Sequence, residues 1–264
     1  MIFKMKTGEI IANEHIKGDY YKASFYVPEI ARKAKAGQFV HIQIDQRQDK
    51  ILRRPFSICD VNEDGILTIL YKVVGHGTSA LSNLPVGAVC DIIGPEGIPF
   101  SQTPADVIPV AVVGGYGAAA TFMLSKYTNK GILLLGARTE GDVLLAEEYK
   151  KNGWDVRIST DDGSVGFKGR VTELIPQLLE DYKDQKLFFQ ACGPGPMLRA
   201  LALELRNRRL TGELSVDQNM CCGVGACFGC VVKVVDPTSP DGWRYARSCS
   251  EGPVFPAEMI YIEA

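Results

Sequence analysis

The sequence predicts a multidomain protein: an N-terminal antiparallel β-barrel, a central α/β domain with a parallel sheet, and a small C-terminal domain built around a metal centre. Three observations predict it. Residues 1–101 carry short aromatic and β-branched runs separated by turn signals. Residues 102–208 alternate apolar strand-like runs with helical stretches. Residues 209–264 hold Cys221, Cys222, Cys227, Cys230 and Cys249 in a segment too short for a self-sufficient apolar core.

In the first region "DYYKASFYV", "QFVHIQI" and "GILTILYKVV" read as strands, and "NEDG" before the last is a hairpin turn. No helix of ten or more residues is expected there. Closure into a barrel removes the exposed edges such strands would leave. In the second region "VIPVAVVGG", "GILLLGAR", "WDVRIST" and "KLFFQACG" read as buried strands. "YGAAATFMLSKY", "DVLLAEEYKK", "RVTELIPQLLEDY" and "PGPMLRALALELRNR" between and after them read as helices. That alternation predicts parallel strands joined by crossover helices. In the third region "CVVKVV" is strand-like.

The net charge of −2 gives no footprint for nucleic acid or an anionic membrane. No apolar run reaches the roughly 18 residues of a membrane helix, and "MIFKMKTGEI" lacks a secretory h-region. A cytoplasmic protein is expected. The eight cysteines are then metal ligands or free thiols rather than disulfides.

Cys222, Cys227 and Cys230 spell C-x4-C-x2-C, and Cys249 follows after 18 residues. This is the plant-type [2Fe–2S] spacing with a distant fourth ligand. The small residues between the cysteines let the backbone wrap tightly and aim N–H groups at sulfur. Zinc is the alternative, but zinc ribbons prefer two C-x2-C knuckles and only one is present. Cys221 is out of register and reads as a small thiol. Cys59 and Cys90 read as core.

"RRPFSI" places Arg54, Pro55, Phe56 and Ser57 in the form R-x-aromatic-S. An arginine can grip a diphosphate bidentately, an aromatic can lie against a flavin ring, and a serine hydroxyl can serve flavin N5. "YKVVGHGTSAL" follows, where Gly75, Gly77 and Thr78 suit an anion-binding helix start and His76 reads as a solvated turn residue. Gly114, Gly115 and Gly117 follow a buried strand and open a helix, as a phosphate loop does. Cys192 and Gly193 in "ACGPGPM" end the last strand of that domain, at the edge where such sheets bind ligands. Tight βα turns explain either glycine run alone.

Taken in order, these motifs resemble the ferredoxin–NADP⁺ reductase superfamily, and within it the electron-transfer subunits of dihydroorotate dehydrogenase B. "LRRPFSI", "LYKVVGHGT", "GARTEGD", "TDDGSVGFKG" and "CGPGPML" all resemble segments of that family, so the likeness spans nearly the whole chain. It implies FAD on the barrel, held by Arg54, Pro55, Phe56 and Ser57, by Leu70, Tyr71 and Lys72, and by Gly77 and Thr78. It implies NAD(H) at Gly114, Gly115, Gly117, Cys192 and Gly193, and a [2Fe–2S] cluster on Cys222, Cys227, Cys230 and Cys249. It also implies an FMN-containing catalytic dihydroorotate dehydrogenase subunit as partner, in a heterotetramer of two of each, serving pyrimidine biosynthesis.

The chain departs from the family pattern in three places. Ala118-Ala119-Ala120 stands where a proline usually follows the glycine loop, Cys221 replaces the usual alanine before the first ligand, and "ELSVDQNM" lacks the common acidic–arginine pair. The flavin subunit of another complex remains the alternative, such as an NADH-dependent ferredoxin:NADP⁺ oxidoreductase or a sulfhydrogenase. Hydride transfer needs no general base, so no catalytic acid–base residue is expected, and Cys192 reads as positioning rather than nucleophilic. Arg138 followed by Glu140 and Asp142 at the end of the second strand points to NADH over NADPH, since the acids would repel a 2′-phosphate.

Overall fold

In the computed structural model, which describes residues 5–44 and 52–262, strand β1 (Met5–Lys17) turns through Gly18 and Asp19 into β2 (Tyr20–Tyr26). Gly18 has φ +49°, a left-handed value that suits glycine in a tight hairpin, and Lys17 pairs with Tyr20 across it. A single turn, α1 (Pro28–Ala31), leads to β3 (Phe39–Gln43). Strands β4 (Arg54–Val61) and β5 (Ile66–Lys72) then form the hairpin that "NEDG" signals. Gly65 in that turn has φ +85°, and a Cβ there would lie 2.5 Å from Pro28 Cβ. Helix α2 (His76–Ser82) precedes β6 (Val89–Glu96). The order β1-β2-β5-β4-β3-β6 closes into an antiparallel barrel. Ile10, Phe25, Val40, Ile42, Ile58, Leu67, Ile69 and Ile92 fill it, the inward half of the period-two pattern.

The chain then enters the α/β domain through β7 (Val107–Gly114), a 3-10 turn at Gly115–Gly117, and the short helices α3 (Ala118–Phe122) and α4 (Leu124–Tyr127). It continues through β8 (Ile132–Ala137), α5 (Ala146–Lys151), β9 (Asp155–Thr160), β10 (Phe167–Lys168), α6 (Ile175–Asp181), β11 (Lys186–Cys192) and α7 (Gly195–Arg208). Beyond residue 208 come β12 (Gly212–Ser215), the cysteine loop, the hairpin of β13 (Val231–Val235) and β14 (Trp243–Arg247), the turn α8 (Ser248–Glu251), and β15 (Val254–Pro256).

The sheet order is β10-β9-β8-β7-β11-β12-β15, parallel except for the β12–β15 pair. Strands β12 and β15 therefore lengthen the central sheet, although they lie in the segment read as a separate C-terminal piece. Both faces of the sheet are covered, which is why β7 is apolar at every position from Val110 to Val113. Ala111 and Val113 pack toward Ala118, Leu133, Tyr149 and the barrel core. Val110 and Val112 pack toward Ile175, Phe189, Leu201 and the hairpin residues Val232, Val234 and Ala246.

A polar clasp joins barrel and sheet. Lys17 Nζ donates to the carbonyls of Glu140 (3.1 Å) and Val143 (2.6 Å), and Tyr20 Oη donates to Asp142 Oδ1 (2.6 Å). Lys72 Nζ lies 3.6 Å from the same oxygen. Burial first, and the Asp142 carboxylate second, raise the Tyr20 hydroxyl above its ordinary pKa, so it stays a donor. Replacing Asp142 by Ala leaves the Tyr20 hydroxyl without its acceptor and removes the carboxylate beside the Lys72 ammonium, in a half-buried place. The expected loss is about 1–3 kcal/mol, the penalty for a polar group left without its partner. Urea unfolding checks it: the midpoint should fall for Asp142→Ala, and an unchanged midpoint would show that the clasp carries no stability.

Candidate functional site

The flavin-motif residues lie on β4 and are sorted by the strand's alternation. Phe39 pairs with Ser57, Val40 with Phe56, His41 with Pro55 and Ile42 with Arg54. Residues opposite each other share a face, so Pro55 and Ser57 look outward with Phe39 and His41. Phe56 points inward, is 7% exposed, and sets its ring edge-on to Tyr71 with centroids 5.8 Å apart. It supports the barrel wall from inside rather than offering a free stacking surface. Arg54 Nη1 donates to the carbonyl of Leu52 at 2.7 Å. Gly77 lies against this guanidinium: a Cβ there would come within 2.8 Å of Arg54 Nε. Thr78 Oγ1 accepts from the N–H groups of Val74 (2.9 Å) and Gly75 (3.2 Å), fixing the start of α2. Arg54, Gly77 and Thr78 thus meet in one place, as a diphosphate cradle requires. Leu70 and Tyr71 are buried, with Tyr71 Oη donating to Asn13 Oδ1 (3.1 Å), and Lys72 is engaged by Tyr20 and Asp142. His76 is exposed on α2.

The two glycine turns of the nucleotide domain pack on each other at the C-terminal ends of adjacent strands β7 and β11. A Cβ on Gly117 would lie 2.3 Å from the Cys192 carbonyl oxygen, and one on Gly193 would lie 2.9 Å from the Gly114 nitrogen. Gly115 has φ +53°. The close approach is what these glycines supply, and it leaves a backbone ledge beside the barrel. Cys192 is 5% exposed. Burial, then the charge of Asp217, push its thiol up to about 12 against the opposing hydrogen bond of Ser215. It is a neutral thiol, consistent with positioning and not with attack. Tyr116, half-exposed between the glycines, has its hydroxyl raised by burial and then by Asp217 and Cys192. Asp217 is exposed to solvent on one side, yet enough protein surrounds it that desolvation lifts its pKa. Tyr116 and Asp217 escape sequence reading, because nothing local marks a tyrosine in a turn or an aspartate before a cysteine loop.

The cysteine loop is an irregular segment aimed at its own sulfurs. Val224 N (3.5 Å) and Cys227 N (3.4 Å) approach Cys222 Sγ, Gly225 N approaches Cys249 Sγ (3.1 Å), and Cys249 N approaches Cys230 Sγ (3.4 Å). Cys230 and Cys249 are brought together by the β13–β14 hairpin, whose open end pairs Val231 with Arg247. Among the described residues no three His, Cys, Asp or Glu side chains converge as a single metal ion demands. The thiols come instead as two pairs, Cys222 beside Cys227 and Cys230 beside Cys249. Two dithiol pairs ringed with N–H donors fit a two-iron cluster. Cys221 is exposed and its side chain lies beside Cys227. Cys59 and Cys90 are buried in the barrel core.

The oxidoreductase FAD-binding domain model matches residues 7–99, and the iron–sulfur cluster binding domain of dihydroorotate dehydrogenase B matches residues 217–261. The dihydroorotate dehydrogenase B (NAD⁺) electron-transfer subunit of Desulforamulus reducens is 36% identical over 98% of this chain and 99% of its own. That of Geobacillus kaustophilus is 40% identical over 86% of each chain. The chain belongs to the dihydroorotate dehydrogenase B electron-transfer subunit family. It is an FAD- and iron–sulfur-dependent oxidoreductase, and the iron–sulfur domain decides against zinc. Among solved structures, the NADH-dependent reduced ferredoxin–NADP oxidoreductase aligns with a TM-score of 0.83 and 27% identity over 96% of this chain and 89% of that one. The ferredoxin reductase of carbazole 1,9a-dioxygenase, at 20% identity and a TM-score of 0.67 over 80% of this chain and 67% of that one, shares the fold. No described helix is long and apolar enough to cross a membrane.

In the cluster-free chain the thiols should differ sharply in reactivity. Burial would raise the Cys222 thiol, but the N–H groups of Val224 and Cys227 and the thiol of Cys227 prevail and bring it to about 7. Alkylation of Cys222 should therefore climb about tenfold per unit up to pH 7 and then level, as its thiolate fraction does. Cys192 should still be rising at pH 10. Site-resolved mass spectrometry after iodoacetamide pulses reads both; equal pH profiles would contradict the environments described.

Proposed function

We propose that this chain carries electrons between NAD(H) and a partner subunit that bears FMN and interconverts dihydroorotate and orotate, in pyrimidine biosynthesis in the cytoplasm. One observation supports the reading above the others: the cysteine loop sits on the outer face of the strand pair that holds the R-P-F-S motif. FAD, when bound, exchanges two electrons with a nicotinamide as a hydride and single electrons with an iron–sulfur cluster. Arg54 and the start of α2 at Gly77 and Thr78 receive its diphosphate, with Pro55, Phe56, Ser57, Leu70, Tyr71 and Lys72 forming the wall around it. Gly114, Gly115, Gly117 and Gly193 let a nicotinamide nucleotide approach the sheet edge, and Cys192 orients it. Cys222, Cys227, Cys230 and Cys249 ligate the cluster, and Cys221 does not. Phe228 is 61% exposed on the cysteine loop, under the Arg247 guanidinium at 4.8 Å from its ring centroid, and offers an anchor to the partner. The assembly is a heterotetramer of two of each subunit. The likeness to the NADH-dependent reduced ferredoxin–NADP oxidoreductase favours a second reading, a flavin subunit of that kind of complex.

Reconstitution separates the two. Loaded with both groups, the chain alone should reduce ferricyanide with NADH and leave dihydroorotate untouched. Adding the FMN subunit should let dihydroorotate reduce NAD⁺. Dihydroorotate oxidation by the chain alone overturns the proposal, and an FMN subunit that binds without passing electrons to NAD⁺ favours the second reading.

The ligand assignment has its own check. Serine at Cys222, Cys227, Cys230 or Cys249 should abolish or alter the rhombic paramagnetic resonance of the reduced chain, whereas Cys221→Ala should leave it intact. Loss with Cys221→Ala and retention with Cys222→Ser would reverse the assignment.

Nucleotide choice rests on fewer acids than the sequence suggests. Asp142 is committed to Tyr20 and Lys72, which leaves exposed Glu140, beside Arg138, to oppose a 2′-phosphate. NADH should be preferred by about fivefold, the worth of one solvent-exposed charge contact of roughly 1 kcal/mol in water-like surroundings. Comparing kcat/KM for NADH and NADPH decides it. Glu140→Gln should narrow the gap, and a clear NADPH preference contradicts the assignment.

A further inference from the structure

His41 belongs to the barrel, yet its ring is spent on the cysteine loop. It is completely buried on β3, and its Nδ1 lies 3.2 Å from the carbonyl oxygen of Cys222. Gly223, at φ +69°, presses against the same ring: a Cβ there would fall 2.4 Å from Nδ1. Nε2 is buried with no hydrogen-bond partner among the described residues. Two residues earlier on the same strand face, Phe39 packs against Cys230 and Cys249. One barrel strand therefore touches both cysteine pairs, and its ladder partners on β4 are Pro55 and Ser57.

We propose that His41 is the positioning residue of the iron–sulfur loop, donating from Nδ1–H to the Cys222 carbonyl so that the flavin barrel, and not the C-terminal segment alone, sets where the first ligand stands. The inference rests on Cys222 being a ligand. A hydrogen bond at this remove from a metal orients the ligand residue, and losing such a partner typically costs about tenfold to a hundredfold in metal retention. The identity of the donating nitrogen makes the test sharp. An asparagine amide reaches the place of Nδ1, a glutamine amide that of Nε2, and leucine reaches neither.

The experiment uses the full reconstituted chain. Cluster release into a chelator is followed by visible absorbance, with flavin content as the check on folding. His41→Leu should release the cluster about tenfold faster or more, in the range of lost outer-shell partners, and shift the g-values of the reduced cluster. His41→Asn should restore release and g-values towards those of the parent, and His41→Gln should not. Gly223→Ala attacks the same contact from the loop side without touching the barrel core and should speed release likewise. Hydrogen exchange at residues 222–225 of the cluster-free chain gives a readout independent of ligation: faster with His41→Leu, near normal with His41→Asn. If Cys222→Ser keeps an unaltered cluster, the ligand reading fails by itself while the exchange data still score the contact. Equal release and exchange in the parent and His41→Leu, or rescue by glutamine and not asparagine, overturns the proposal.

Discussion

Strand β3 has to satisfy two neighbours at once. Its ladder with β4 holds the R-P-F-S motif in line, while Phe39 and His41 on its outer face carry the cysteine loop. Alternation makes this possible, because Val40 and Ile42 remain free to seal the barrel. A one-residue slip would turn Phe39 and His41 into the core and expose Val40 and Ile42, losing both functions together. The outer face of the barrel strand that pairs with the R-P-F-S motif is thus the floor of the cysteine loop.

The cysteine segment shares a small apolar cluster with Phe39 of the barrel and is attached to the rest of the chain at several points. Strands β12 and β15 extend the central sheet, Ser248 Oγ donates to the Val216 carbonyl at 2.8 Å, and Ile98 N donates to the Gly252 carbonyl at 2.6 Å. The β13–β14 hairpin lends Val232, Val234 and Ala246 to the core beneath the sheet. A loop of glycines and cysteines gains its shape from these supports, and its N–H groups then have fixed directions to offer sulfur.

Strands β2, β3, β5, β7, β8, β9 and β11 and the helices of the central domain were legible because each carries an apolar period or run, whereas the largely exposed β1 and the two-residue β10 were not. β2 and β5 alternate, β7 and β8 are apolar throughout as doubly covered strands are, and α7 carries buried leucines at helical spacing. The cysteine spacing was legible because it is local. What stayed hidden is what only folding brings together. The return of β12 and β15 to the central sheet depends on pairings across the cysteine segment. Asp142 read as a nucleotide-facing acid, but its carboxylate turns to Tyr20, a residue 122 positions away. Nothing near His41 in the chain announces Cys222, 181 positions on. Polar contacts of this range leave no periodic trace.

We propose that the flavin barrel and the cysteine loop form one electron path within a single chain. Rapid mixing of the reconstituted chain with NADH, without any partner subunit, tests it directly. Flavin bleaching followed within the same chain by the rhombic paramagnetic resonance signal of a reduced cluster is the result the structure predicts. A fully bleached flavin with a cluster that stays oxidised until a partner is added would contradict it.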